Sequence, residues 1–438
     1  MPSVPSPASP RYLRCSLARA AQPGPHSAGR QRPGVIPLTI LCGFDRHAVA
    51  DIAAALLLAG SRLALVWADP FTADLGFLQT RVTDSDGRCT DQTVSLGRGF
   101  VSRALDAAVA RAVRRLRRTG RYDAILIHLH PGIEADAAID VLSAELSGVA
   151  VVDTVALYLH PGWLDNLSGD ATARAMRISV TGADSRFAAP ILASDLTAAT
   201  VVIAPAVAAG VCDPAEGAVL SILAPDAVQL HPATPLDVPP AQLVHTGRFE
   251  LEMLDPLAPR GLLDAGLALP AGSGTLRLVR WAAGRPVHPQ RLHDAIGELA
   301  DGVIRSTGFL RFATRSHQVV LWDSAGSSLI LGLPDTAPAD QVGASRLVSR
   351  ARPQPRQPAR DPAGLSWPVG NHLAFLGDSL SSQHIQHVLN SCLLTDAELA
   401  GGPAGWRQLN DPFPRWEADD EARAASRPPD ARGQRPAL

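Results

Sequence analysis

The first half of the chain alternates short apolar runs with longer segments of helical periodicity. The run "IPLTILCG" precedes "HAVADIAAALLLAG", and the runs "SRLALVWAD" and "YDAILIHLHPG" flank the amphipathic segment "VSRALDAAVARAVRRLRRTG". Short apolar runs predict buried strands, and apolar residues spaced three and four apart predict helices. This alternation predicts a mostly parallel sheet with helices on both faces, which is an α/β fold.

The rhythm changes after the proline-rich segment "HPATPLDVPPAQLV". Strand-like runs then follow one another closely, with one helix before most of them, which predicts a small α+β domain with an antiparallel sheet. We therefore divide the chain into five parts. They are a disordered N-terminal extension at 1–34, the α/β domain at 35–230, a linker at 231–243, the α+β domain at 244–416 with a Pro/Arg-rich loop at 350–364, and a disordered tail at 417–438.

The N-terminal stretch, the cysteines and the lengths of the apolar runs indicate where the protein is located in the cell. The N-terminal stretch is rich in Pro, Ser and Arg and lacks an apolar core, so it is not a secretory signal; its bias resembles a transit peptide, and a disordered extension is the other interpretation. Five scattered cysteines without a C-x-x-C pair fit a reducing compartment. No apolar run reaches the roughly 18 residues that a membrane span needs. We expect a cytoplasmic protein.

Three stretches of the second half resemble a known family. "RPVHPQRLHDAIGEL", "GVIRSTGFLRFATRSHQVVLWDSAG" and "CLLTDAELAGGPAGWRQLNDPFP" are similar to the C-terminal domain of CobW-type proteins, which are cytoplasmic G-proteins tied to metal supply, chiefly zinc. The resemblance implies that the first half is a P-loop GTPase domain.

The phosphate-binding residues of such a domain are missing. The loop pattern G-x-x-x-x-G-K-[ST] uses backbone N–H groups and a lysine to bind phosphate, and a hydroxyl to bind Mg²⁺. With Gly43 as the first glycine, Ala48, Val49 and Ala50 stand where the second glycine, the lysine and the hydroxyl belong. The first domain is therefore predicted to be a degenerate GTPase.

Nearby charges do not restore the site. The chain contains no lysine, so all 40 basic residues are arginine. Asp45 adds a carboxylate that repels phosphate, and Arg46 is the one cation that could replace the lysine. We expect that Arg46 does not rescue phosphate binding, and we expect no catalytic residue and no GTP or zinc cofactor.

Two further signatures of the family are absent. No Asn-Lys-x-Asp motif occurs near "ATVVIAPAVAAG", and the metal-binding C-x-C-C motif is replaced by Gly97, Arg98, Gly99 and Phe100. Without thiolates, the zinc site of the family cannot form there.

Histidines suggest a different chemistry. His128 and His130 lie two apart at the end of a predicted strand, and His160 precedes a second Pro-Gly turn. With Glu134 and Asp136 as oxygen ligands they could form a zinc hydrolase site. The other interpretation is that these histidines flank turns and bind backbone groups.

Arginines cluster in "RAVRRLRRTGR" and "SRARPQPRQPAR". Such clusters can contact RNA phosphates. With a net charge of −2 and few aromatic residues, the ordinary interpretation is a solvated helix face and a flexible loop, although a ribosome-facing protein could use these clusters.

The resemblance extends to a branch of the family that lacks an intact P-loop and recruits a hibernation factor to ribosomes during zinc starvation. It implies a non-hydrolysing adaptor that contacts the ribosome or a hibernation factor through its CobW C-terminal-like domain, without membrane or DNA. The alternative is a GTP-dependent zinc metallochaperone with an altered nucleotide site. The third hypothesis is the zinc hydrolase that uses His128 and His130.

Overall fold

The structure is a computed structural model. It describes residues 35–414 except 61, 71–72, 97–100, 206–212, 257, 259, 317, 334–358, 361–365 and 368–369. The predicted extension at 1–34, the tail at 417–438, most of the loop at 350–364 and the four residues that replace the cysteine motif lie outside this range.

The described residues form fifteen strands and ten α-helices. The strands are β1 (Ile36–Cys42), β2 (Leu63–Asp69), β3 (Phe77–Asp84), β4 (Cys89–Ser95), β5 (Ala124–His128), β6 (Ala150–Tyr158), β7 (Val201–Ile203), β8 (Val228–Leu230), β9 (Leu276–Ala283), β10 (Val303–Leu310), β11 (Val320–Ala325), β12 (Ser328–Gly332), β13 (Ala359–Arg360), β14 (Ser366–Trp367) and β15 (Asn371–Asp378). The helices are α1 (Arg46–Ala59), α2 (Val101–Thr119), α3 (Ala135–Glu145), α4 (Trp163–Ser168), α5 (Ala188–Ala198), α6 (Pro214–Leu223), α7 (Pro289–Ala300), α8 (Ser382–Ser391), α9 (Asp396–Ala400) and α10 (Gly402–Trp406).

The first domain is built on an eight-stranded sheet in the order β4-β3-β2-β5-β1-β6-β7-β8. The six strands from β2 to β8 in this order are parallel, and β3 and β4 add an antiparallel hairpin at one edge. The carboxyl ends of the parallel strands therefore meet along one edge, where ligands of α/β proteins bind. The predicted α/β class with a mostly parallel sheet is confirmed.

Helices cover both faces of this sheet. Within β5, Ile125 and Ile127 point to the core shared with α2, α3 and α5, whereas Ala124 and Leu126 point to the core shared with α1. Because both faces are buried, the strand has no polar side, which explains its continuous apolar run.

The second domain contains a five-stranded antiparallel sheet in the order β12-β11-β10-β15-β9. One face packs against α7 and α8, and residues of the other face, among them Ile304, Ala325 and Leu376, join the core of the first domain. Gly326 of the second domain lies so close to the first domain that an added Cβ would stand 2.2 Å from the carbonyl oxygen of Gly169. The predicted α+β class of this half is also confirmed.

The proline-rich segment 231–243, predicted as a linker, packs onto the first sheet. Val238 and Leu243 are buried against α1, and the hydroxyl of Thr39 in β1 donates a 2.8 Å hydrogen bond to the carbonyl oxygen of Leu243. Its two apolar side chains anchor the segment, so it is part of the first packed body and not a free connection. The domain boundaries at 230 and 244 stay predictions.

None of the helices in the described ranges combines the length and the apolar character needed to cross a bilayer.

Candidate functional site

The turn between β1 and α1 is too short to surround a phosphate group. β1 ends at Cys42 and α1 begins at Arg46, so Gly43, Phe44 and Asp45 alone connect them. The phosphate-loop pattern places four residues between its two glycines. Here the last two of those four positions are already helical, which leaves no loop of backbone N–H groups.

Asp45 occupies the end of α1 where an anion would bind. Its Oδ1 accepts hydrogen bonds from the backbone N–H groups of His47 at 3.0 Å and Ala48 at 3.1 Å. An N-cap carboxylate satisfies these donors and stabilises the helix dipole. The same donors would serve a bound phosphate, so the chain supplies its own anion at this position.

The apolar residues at the motif positions are part of the core or of the outer helix face. Ala48 is 6% exposed and Val49 is 1% exposed, and both pack in the apolar cluster beneath α1, whereas Ala50 faces solvent. A side chain at position 49 therefore points into the core, away from the turn. Restoring lysine there would bury an ammonium among apolar groups, which costs several kcal/mol as an order of magnitude.

Arg46, the candidate for rescue, is exposed as the first residue of α1. After burial and the charge of His128, its charge contributes to lowering the pKa of His130. The structure thus places the cation beside a neighbouring strand.

His128 and His130 lie at the carboxyl edge of the sheet, as predicted, but both are buried. They are 8% and 7% exposed, and burial lowers the pKa of each to about 4. His128 stacks on Trp67, with ring centroids 6.2 Å apart, and Nδ1 of His130 accepts the N–H of Gly132 at 3.1 Å. Both rings are therefore neutral at neutral pH.

His160 is engaged elsewhere. Its Nδ1 lies 2.6 Å from the carbonyl oxygen of Pro161, and its Nε2 lies 2.8 Å from Nδ2 of Asn166. The interpretation that these histidines bind turn groups is confirmed for His130 and His160. Across the described ranges no three His, Cys, Asp or Glu side chains come together in a way that could hold a metal ion. The zinc hydrolase hypothesis gains no support from this geometry.

Buried ionic groups lie below the same edge of the sheet. Arg186 binds Asp184 at 2.9 Å and Glu134 at 3.4 Å, and also donates to the carbonyl oxygen of Gly132 at 2.7 Å. Glu134, predicted as an oxygen ligand, is 3% exposed, and its Oε2 has no hydrogen-bond partner among the described residues. Burial and the nearby carboxylate of Asp136 raise the pKa of Glu134 well above its usual value.

A second buried contact joins α3 to α5. Ser194 donates to Oδ1 of Asp136 at 2.5 Å, and Asp195 accepts the N–H of Ala135 at 3.1 Å. Burial raises the pKa of Asp195, and burial followed by the charge of Asp195 raises the pKa of the Cys42 thiol at the end of β1. These acids connect the helices beneath the sheet edge.

Sequence reasoning missed Asp184, Arg186 and Asp195. Asp195 had a detectable signal, because it interrupts the apolar segment "AAPILASDLTA" at a position that faces the core. The ion pair of Arg186 with Glu134 had no such signal, since the two residues are 52 positions apart in the chain.

A groove of about 810 Å³ lies between the two domains. Leu164 and Ala215 line it from the first domain, and Ile296, Leu329 and the exposed Ser327 line it from the second. It is separate from the β1–α1 turn and combines apolar walls with hydroxyl groups.

Comparison with known proteins identifies the second half. Residues 276–393 match the family described as the cobalamin synthesis protein CobW C-terminal domain. A zinc chaperone of Mycobacterium tuberculosis is 35% identical over 186 residues, which are 39% of this chain and 45% of that protein. A zinc-regulated GTPase metalloprotein activator of Dictyostelium discoideum is 28% identical over 144 residues, which are 30% of this chain and 28% of that protein.

Among solved structures, the zinc-bound YjiA GTPase from E. coli aligns with 82% of this chain and 99% of its own, at 12% identity and a TM-score of 0.35. The chain spans less than half the length of the curated relatives it matches. It carries a CobW-type C-terminal domain.

Proposed function

We propose that this chain acts in zinc homeostasis as a CobW-type protein that works through protein contacts, without binding nucleotide. The CobW-type C-terminal domain supports the first part, together with relatives that are named for zinc delivery and zinc regulation. The capping of α1 by Asp45 is the observation that carries the second part.

The physical argument rests on competition for the same donors. A nucleotide phosphate would have to displace a covalently tethered carboxylate and then lie beside its negative charge. No side chain at the motif positions offsets the cost of displacing Asp45, because Val49 is buried and Ala48 and Ala50 carry no polar group. The first domain therefore serves as a scaffold.

Isothermal titration with GTP and Mg²⁺ tests this proposal. The wild-type chain and an Asp45→Asn variant, which keeps the capping oxygen without its charge, should both fail to bind at micromolar concentrations. Micromolar binding by the wild type that an Arg46→Ala change abolishes would show that the arginine has replaced the lysine, and the proposal would be wrong.

A GTP-dependent zinc metallochaperone is the second candidate function. The names of the two curated relatives favour it, since one is a zinc chaperone and the other a zinc-regulated GTPase. It predicts a zinc affinity that changes when GTP is added. Competition with a chelating dye, with and without GTP, measures this change; the nucleotide-independent proposal expects equal affinities.

Recruitment of a hibernation factor to ribosomes is a narrower form of the adaptor proposal. It expects ribosomes and such a factor to co-purify with the tagged chain from zinc-starved cells and not from zinc-replete cells. If the groove between the domains is the contact surface, Ser327→Arg should reduce recovery, whereas Ser382→Arg on α8, outside the groove, should not. Recovery of metalloenzymes alone would favour the chaperone.

A further inference from the structure

Helix α2 presents a one-sided arginine surface to solvent. Its buried apolar residues, Leu105, Val109, Val113 and Leu116, share one face. At 100° per residue, its arginines fall within an arc of about 160° on the opposite face. They are Arg103, Arg111, Arg114, Arg115, Arg117 and Arg118. The one acidic residue of the helix, Asp106, is 5% exposed and adds no negative charge to this surface.

The side chains of three of these arginines have no partner among the described residues. Arg114 binds Glu145 at 2.5 Å, whereas the side chains of Arg111, Arg115 and Arg118 make no ion pair or hydrogen bond with any part of the chain that the structure describes. Their spacing of four and three residues aligns them in a stripe about 10 Å long. We call these three residues the α2 stripe.

The helix dipole accounts for Arg118 in the last turn of α2 but not for the whole α2 stripe. The helix dipole favours cations in the last turn only, and Arg111 lies two turns before the end of α2. Like charges four apart on a helix cost a few tenths of a kcal/mol. Several other surface arginines of this chain are neutralised, as Arg81 is by Asp91 at 2.7 Å and Arg260 by Asp226. The stripe thus concentrates charge in a chain whose net charge is −2.

The chemistry of the surface selects the ligand. A membrane-bound helix needs an exposed apolar face, but that of α2 is buried, and the stripe has no exposed large apolar or aromatic residue to anchor a protein partner. Guanidinium groups match phosphate oxygens by bidentate hydrogen bonds. We propose that the α2 stripe binds the phosphate backbone of a nucleic acid without reading its sequence. This goes beyond the proposed function, which does not require it.

Fluorescence anisotropy with labelled 20-base-pair RNA and DNA duplexes of the same sequence tests the proposal. The wild-type full chain should bind at 50 mM salt and weaken steeply toward 200 mM, because phosphate neutralisation releases counterions. The triple variant Arg111→Ala, Arg115→Ala, Arg118→Ala should bind about tenfold or more weakly, with a salt slope smaller by about 2–3. The two duplexes decide whether RNA or DNA is preferred.

The matched control removes three arginines that already have carboxylate partners, Arg62, Arg81 and Arg260, and so changes the net charge equally. It should retain wild-type affinity and slope. Equal losses in both triple variants would show non-local charge effects and overturn the proposal. So would the absence of any duplex binding by the wild type at 50 mM salt, or equal competition by polyglutamate, which would indicate an acidic protein partner.

Discussion

Gly43 and Tyr158 touch through their backbones: a Cβ added to Gly43 would stand 2.5 Å from the carbonyl oxygen of Tyr158. The contact joins the β1–α1 turn to the end of β6. Gly43 has φ at 139°, a conformation that L side chains rarely adopt. The glycine that would open a phosphate loop is therefore required here by packing.

We predict that Gly43→Ala destabilises the protein by about 1–3 kcal/mol through backbone strain, with a further cost from the contact with Tyr158. Denaturant unfolding followed by circular dichroism measures the change. Gly87→Ala is the matched control, since Gly87 also has positive φ, 77°, but an added Cβ there meets open space. Equal losses in the two variants would contradict the close approach.

The cap of α1 gives a second prediction. Asp45→Ala leaves the N–H groups of His47 and Ala48 without their acceptor and should lower the free energy of unfolding by about 1 kcal/mol. Asp45→Asn keeps an acceptor oxygen and should cost only a few tenths of a kcal/mol. Thermal and denaturant unfolding of the two variants measure this difference. If alanine and asparagine were equivalent, the carboxylate would not be acting as a cap.

The order of elements in the first domain could be predicted from sequence because each parallel strand is buried on both faces. The uniform apolar runs around Ile40 and Ile127 are typical of strands in a parallel sheet covered on both faces. The placement of 231–243 could not be predicted from the sequence. Prolines interrupt the local pattern whether or not the segment packs against the rest of the protein. Its position depends on the contact of Thr39 with Leu243, which are 204 residues apart.

The sequence predicted those properties of the candidate site that depend on which residue stands at a position. It did not predict the properties that depend on how the side chains are placed. The sequence showed that Val49 replaces a lysine. Only the structure shows that α1 already includes this position, so that the side chain of Val49 points into the apolar core. Likewise His-x-His spacing indicated two neighbouring rings, but not the burial that lowers the pKa of both to about 4.

Burial of His128 predicts a loss of stability in acid. Its pKa falls from 6.5 in the unfolded chain to about 4 in the folded protein, so the unfolded state binds more protons between these values. Stability should therefore decrease as pH falls from 6.5 toward 4, by up to about 1.4 kcal/mol per pH unit from this group. Denaturant unfolding at pH 7 and pH 5 measures the loss.

His128→Phe keeps an aromatic ring against Trp67 and removes the titration, so its loss between pH 7 and pH 5 should be smaller than that of the wild type. The same change at exposed His387 on α8 is the control and should leave the loss unaltered. An equal loss in wild type and His128→Phe would mean that the His128 ring is not buried as described.

Asp195 predicts the opposite pH dependence. Its pKa is raised by burial, which outweighs the hydrogen bond from Ala135, so the folded state binds the proton more tightly than the unfolded state. Stability should therefore decrease as pH rises from about 3.8 through the folded pKa, above which the full cost of ionising this group is present. Asp195→Asn keeps an oxygen to accept the N–H of Ala135 and removes the charge.

We expect Asp195→Asn to be more stable than the wild type at pH 8, with a gap that narrows as pH falls toward 4. Denaturant unfolding across this range measures the gap. The control is Asp213→Asn, because Asp213 accepts the N–H of Ala215 at 2.8 Å in the same way but on the surface. Asp213→Asn should leave the free energy of unfolding unchanged or lower it slightly, since an exposed carboxylate at a helix N-terminus is favourable. Destabilisation of Asp195→Asn at pH 8 would instead show that the carboxylate is ionised and needed for the contact between α3 and α5.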